Sequence, residues 1–225
     1  MTIDANHVTD DASHVAEEPA SVSAGFPVTV GWTHAAIAVY SVLRLNTPVN
    51  LKMLIEMHGP LLIDFRHHAF SWSTPLELFP VDAVHTNLET EPVSPDDPPY
   101  IELPGQDLDG LLWEMGLNSF GGAPAYWLPP NERYKLTRWP NITRHAHNLG
   151  QMKMLAALAN TYASTSELAA LAGVDESDAQ RLINALSLMR ILWRSAEAPA
   201  APVVKETAAV KRQSLFGRLR KRLGR

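Results

Sequence analysis

Residues 164–192 read STSELAALAGVDESDAQRLINALSLMRIL, and this stretch decides the fold of the C-terminal half. Ser164 and Glu167 have capping-box spacing, so each side chain can satisfy the other's backbone N–H and open a helix. Gly173 ends that helix, because glycine takes a left-handed conformation at little steric cost. Asp175 can cap a further helix to about Met189, with Leu182, Ile183, Leu186 and Met189 along one face. Arg190 to Arg194 (RILWR) reads as a short strand. Upstream, Asn141 or Thr143 starts a longer helix to about Asn160. Its Leu149, Met152 and Leu155 have helical spacing, and the last helix is expected to pack Leu182, Ile183 and Leu186 against them.

Long helix, short helix, three-residue turn, helix and strand follow one another over residues 140–195. This order resembles the winged-helix class of helix-turn-helix domains. The resemblance implies that the N-terminal turn of the last helix would enter a DNA major groove. Here Asp175, Glu176 and Asp178 occupy that turn, where they suit the helix's own dipole and repel phosphate. Gln180, Arg181 and Asn184 are the donors further along. The segment SAEAPAAPVV (195–204) is linker-like, so the second strand of the wing is expected to be missing. The whole chain is also similar to bacterial signalling- and motility-associated proteins that carry a degenerate winged helix. That likeness implies an adaptor or regulatory subunit and supplies no catalytic residue.

Moving outward, Asp107 can cap a helix with Leu108, Leu111, Leu112 and Met115 on one face, closed by Gly116. FGGAPAYWLPP (120–130) is then a loop, and RYKLTRW (133–139) a short strand or extended arm. Thr33 to Leu45 reads as a helix. Pro48 fits the start of a second helix, Val49 to His58, that Gly59 can cap. Leu61, Leu62, Ile63 and Phe65 read as a strand, with Ala69, Phe70 and Trp72 as its hairpin partner. Leu76 to Phe79 is a short helical turn. The expected fold is mainly α with short β strands (α+β). Its parts are an acidic leader without structure (1–30), an α/β subdomain (31–85) and a Pro-rich linker or loop (86–106). A helical region with the winged-helix-like domain (107–195), an Ala/Pro linker (196–210) and a basic amphipathic tail (211–225) follow.

The chemistry-bearing residues point away from an enzyme. There is no cysteine among the 225 residues, so disulfides, thiolate metal sites and Cys nucleophiles are excluded. His67 and His68 are adjacent, with Asp64 nearby, and neighbouring strand residues face opposite sides, so one metal cannot easily take both. His145 and His147 lie two apart on the expected helix, where side chains do not meet. No Gly-x-Ser-x-Gly elbow is present, and Gly121-Gly122 has no following Lys for a phosphate loop. No catalytic residue, metal or cofactor is expected, and a small-molecule ligand is not.

Charge is segregated along the chain. The net charge is −5, yet residues 1–30 carry five acids and no Lys or Arg, while residues 205–225 carry eight Lys/Arg and one Glu. The leader lacks a basic start and an apolar run, so it is no signal peptide, and the protein is expected to be cytoplasmic, peripheral to the inner membrane at most. Arg133, Lys135, Arg138 and Arg144, with Tyr134 and Trp139, form a basic-aromatic arm. With Arg181 they are the candidate nucleic-acid contacts. A DNA-binding regulator using arm and tail is therefore the alternative to the adaptor. In the tail, Leu215, Phe216, Leu219 and Leu223 share one helical face, and Arg218, Arg220, Lys221, Arg222 and Arg225 occupy the rest. A protein partner is the expected target, with an anionic membrane surface as the second.

The tail yields the first prediction. A peptide of residues 212–225 should be unstructured in water and gain helix on anionic but not neutral vesicles, read by circular dichroism. Each Lys or Arg near the lipid contributes roughly 1 kcal/mol. No gain on anionic vesicles contradicts the membrane version.

Overall fold

The computed structural model describes residues 29–45, 48–81, 85–142 and 148–196. The leader, the tail with all of its named contact residues, Arg144, His145 and His147 lie outside the described residues. The fold is mixed α+β, with more sheet than the sequence suggests.

A six-stranded antiparallel sheet holds the N-terminal half. Its strands are β1 (Thr29–Val30), β2 (Val49–Ile55), β3 (Gly59–Asp64), β4 (Ala69–Trp72), β5 (His85–Pro92) and β6 (Gln106–Asp107). Their spatial order is β1-β5-β2-β3-β4-β6. Two expectations are corrected here. Val49 to Ile55 is a strand and not a helix. Leu51, Met53 and Ile55 point into the core at a period of two, while Lys52 and Leu54 face outward. Residues 86–92, expected within a linker, belong to β5, which lies in the interior of the sheet between β1 and β2. Thr86 and Leu88 turn inward and Glu89 and Glu91 outward, so the acids mark the solvent face of a strand. Lys52 Nζ meets Glu89 Oε2 at 2.9 Å across the β2–β5 ladder. Beyond Pro92 the chain has no regular element until β6, yet it is held down. The Arg66 guanidinium donates to the carbonyls of Ser94, Asp97 and Pro98 at 3.0, 3.2 and 3.1 Å.

Helix α1 (Thr33–Leu45) falls where the periodicity places it, and α2 (Leu108–Leu117) starts at its expected cap. The Asp107 carboxylate accepts the Asp109 N–H at 3.0 Å. Gly116 does not close α2; the helix runs to Leu117, with Asn118 as the cap. Almost every residue of α2 is buried, which only a helix enclosed on all sides can be. Trp32 anchors α1 near the sheet, packed at a 31° tilt on Phe79 with centroids 4.4 Å apart and edge-on to Trp72 at 6.3 Å.

The C-terminal half comprises β7 (Arg133–Leu136), α3 (Leu149–Asn160), α4 (Thr165–Ala172), α5 (Glu176–Leu188) and β8 (Leu192–Ser195). Asn148 with Gln151 and Ser164 with Glu167 form complete capping boxes, and Gly173 takes φ 70°. Asn141 and Ile142 are not helical, so α3 starts later than expected. Asp175 sits at the N-cap of α5 without a side-chain capping bond. β8 does not lack a partner. It pairs antiparallel with β7, which lies upstream of α3 rather than downstream of α5. Ala163, between α3 and α4, bridges to the other edge of β7 through Tyr134.

Helix α5 is the common element of both halves. All residues from Leu182 to Met189 are buried, and one continuous apolar core runs from the sheet through α2 into α3, α4 and α5. Its main neighbours are α2 and α4, rather than α3 as expected, and Leu149 of α3 is exposed. Gly116 is where α2 and α5 touch: a Cβ added there would lie 2.3 Å from Ala185 Cα. Only glycine fits such backbone contact. Gly116→Ala is therefore expected to destabilise the protein by at least about 1–3 kcal/mol, the usual cost of overpacking. Urea unfolding of the full chain checks this, and an unchanged midpoint contradicts the α2–α5 contact.

Candidate functional site

Beyond its exposed first turn, part of the polar face of α5 is covered by the protein's own chain. The loop after α2 enters with Phe120, Gly121 and Gly122 all at positive φ. Gly122 lies against α5, where an added Cβ would come within 2.8 Å of Ser177 Cβ. Asn184, fully buried, then fixes the loop with both ends of its amide. Its Oδ1 accepts the Ala125 N–H at 3.1 Å, and its Nδ2 donates to Ala123 O at 2.8 Å. Gln180 Nε2 donates to the same Oδ1 at 3.0 Å. One turn on, Trp127 Nε1 donates to Ser187 Oγ at 3.0 Å, and its ring stacks on Tyr40 of α1 at 3.9 Å. The stripe Gln180, Asn184, Ser187 is thus a loop clamp. At i, i+4, i+7 it is a polar helical face, and the sequence alone does not say what covers it. Two of the three donors expected further along the helix are engaged in this way.

The basic arm is mostly answered by nearby acids or carbonyls. Arg133 meets Glu167 Oε2 at 2.6 Å and donates to Tyr162 O at 3.1 Å, tying β7 to the first turn of α4. Arg138 donates to Asp109 Oδ2 at 2.8 Å. Arg181 lines a cleft of about 310 Å³ beside Glu114 and Asp178. Burial pushes the Glu114 carboxyl in this cleft up to about 7. Lys135 lies opposite Trp193 in the β7–β8 register. Tyr134 is buried, and Trp139 and Trp193 are exposed. Arg190, at φ 58°, donates from its guanidinium to Leu43 O at 2.7 Å, fastening the end of α5 to α1.

A second polar cluster was not legible in the sequence. The β3–β4 turn is organised by Asp64, whose buried carboxylate accepts the N–H groups of Arg66 and His67 at 3.0 and 3.3 Å and that of Tyr100 at 3.1 Å. His67 Nδ1 lies 2.9 Å from Asp64 Oδ2, whereas His68 Nε2 lies 3.0 Å from Asp109 Oδ1. The two histidines therefore part to different carboxylates. His68, Asp107 and Asp109 place ligand atoms within 4.8 Å of one another, a spacing a metal ion could use. Their oxygens already have partners. Asp107 accepts from Asp109 N and from Asn141 Nδ2, and Asp109 takes His68 and Arg138. The arrangement is a charge-assisted network that joins the β3–β4 turn, α2 and the arm.

No protein-family model matches the chain, and no curated protein or solved structure matches it either.

The His68–Asp109–Arg138 network makes a titration prediction. The hydrogen bond to Asp109 raises the His68 imidazole above its ordinary value. Burial alone would raise the Asp109 carboxyl, but bonds from His68 and Arg138 outweigh it and hold it below the usual range. Protonated His68 thus stabilises the fold below its ordinary pKa of about 6.5, and that contribution is lost as pH rises through the raised value. The Asp109 contribution is present above the usual carboxylate range and is lost as pH falls through its lowered value. Imidazole titration by NMR should place His68 above about 6.5, and Asp109→Asn should bring it back down. An unshifted midpoint in the variant contradicts the pairing.

Proposed function

We propose that this chain is a non-enzymatic adaptor or regulatory subunit. It docks protein partners through a degenerate winged helix spanning β7 to β8, with residues 211–225 as a second anchor. The likeness seen in the sequence points to a bacterial signalling or motility system, in the cytoplasm and peripheral to the membrane. No described helix is long and apolar enough to cross a bilayer.

The observation that carries this reading is the burial of α5. Leu182 to Met189 are buried, Asn184 and Ser187 bond the 120–128 loop, and Gln180 bonds Asn184 and Thr165. The exposed first turn holds Asp175, Glu176 and Asp178, which repel a phosphate backbone. A winged helix stripped of its reading face keeps its strand pair, β7–β8, as a free surface. Large exposed side chains sit on or beside it, Trp193 at 57% and Trp139 at 49% exposure. Tryptophans of this kind anchor protein interfaces.

The full chain should bind duplex DNA no better than an unrelated acidic protein does, by fluorescence anisotropy at physiological salt. Pull-down from native lysate should recover protein, in smaller amount once residues 205–225 are removed. Sequence-specific DNA binding near about 10⁻⁸ M, the ordinary range for specific complexes, overturns the reading.

A further inference from the structure

The hydrogen-bond parity of the β7–β8 pair shows which backbone groups of β8 face outward. Tyr134 exchanges bonds with Ala163, N–H to O at 2.9 Å and O to N–H at 3.0 Å. Tyr134 therefore turns its backbone away from β8. Arg194, directly across the ladder, turns its N–H and C=O away from β7. Leu192, two residues earlier, has the same parity. Thr137 N–H donating to Ile191 O at 2.9 Å fixes that parity from the other end. Among the described residues β8 pairs with β7 alone, so Leu192 and Arg194 present a row of donors and acceptors along an open edge.

The side chains beside this edge give it a chemistry. Trp193, exposed, shares one face with Lys135 across the ladder. Arg194 lies on the other face, about half exposed, and exposed Arg190 precedes the strand. Glu132, 3.7 Å from Arg194, is the acid that reaches this strand. A second copy of β8 laid along the edge would bring Arg194 of both copies to one interface, and like charges across strands destabilise pairing. An acidic strand meets no such repulsion.

We propose that the outer edge of β8 takes an extended acidic segment of a protein partner as an added strand. Its backbone bonds Leu192 and Arg194. A carboxylate answers Arg194 and an apolar side chain seats on Trp193. This is recognition by strand addition, in which the backbone supplies affinity and alternate side chains supply specificity. The inference rests on the protein-docking reading and adds the site and the class of partner.

The test is selection of a random 12-residue peptide library on the full chain, followed by amide hydrogen exchange with the best peptide. Enriched peptides should carry Asp or Glu next to an apolar or aromatic residue. The Leu192 and Arg194 amides should exchange at least about tenfold more slowly in the complex. Leu192→Pro removes an outward donor and no bond to β7, so it should abolish binding; it also trims a side chain packed on the core, and circular dichroism of the variant checks that the fold is kept. Arg194→Glu, which keeps the backbone intact, should weaken binding about tenfold. Peptides that bind but protect other amides overturn this inference and leave the docking reading standing. So does protection of the same two amides that rises with protein concentration in the absence of peptide, since a second copy then occupies the edge. If no peptide enriches, the strand-addition site falls; if native pull-down also recovers no protein, the docking reading falls with it.

Discussion

The backbone contact between Gly116 and Ala185 is the constraint on which the rest depends. It lets α2 and α5 approach until neither has a free face at the crossing. Because α2 begins at β6 and α5 ends against α1, this one contact merges the sheet and the helical half into a single core. The 120–128 loop then has one course open to it, across the polar stripe of α5. Asn184 sits there with no exposure and satisfies two loop backbone groups as well as Gln180. A buried amide bonded through both its oxygen and its nitrogen fixes position in a way that an apolar contact cannot.

Electrostatics follow from the same packing. Two residues of the arm read as a basic nucleic-acid contact are drawn by the fold onto acids. Arg133 closes β7 onto α4 and Arg138 closes the arm onto α2, while Arg181 lines a cleft with Glu114 and Asp178. Charge that is neutralised within a few ångströms contributes little to the long-range field that draws nucleic acid. Exposed in the C-terminal half are the acidic first turn of α5 and, at β8, Trp193 and Arg194.

Much of the helical half was legible in the sequence because its signals are local. The Ser164–Glu167 box, Gly173, and the strands at 133–136 and 192–195 depend on residues within a few positions of one another. The misreadings share a cause, which is partnership at long range. Val49–Ile55 carries apolar residues that fit a helix and a strand alike, and its neighbours β3 and β5 decide the matter. Residues 86–92 look like a linker because their acids and proline are counted without the alternation that places Thr86 and Leu88 inside. Strand β8 looked unpartnered because a partner was sought downstream, and it comes from before α3. The surroundings of the candidate contact residues also depend on long-range partners. Gln180 and Asn184 look like free donors until the loop that covers them is seen, and His68 looks solvated until Asp109 arrives from 41 residues away.

The claim at the centre of this account is that α5 is the buried structural hub of the described chain. Native-state hydrogen exchange across a urea series measures this directly. The amides of Ala185 to Leu188 should exchange only through global unfolding, with the same free energy and the same urea dependence as the central strands β2 and β5. Exchange of those amides through a cheaper opening, while β2 and β5 stay protected, would show that α5 lifts off the core on its own and would contradict the account.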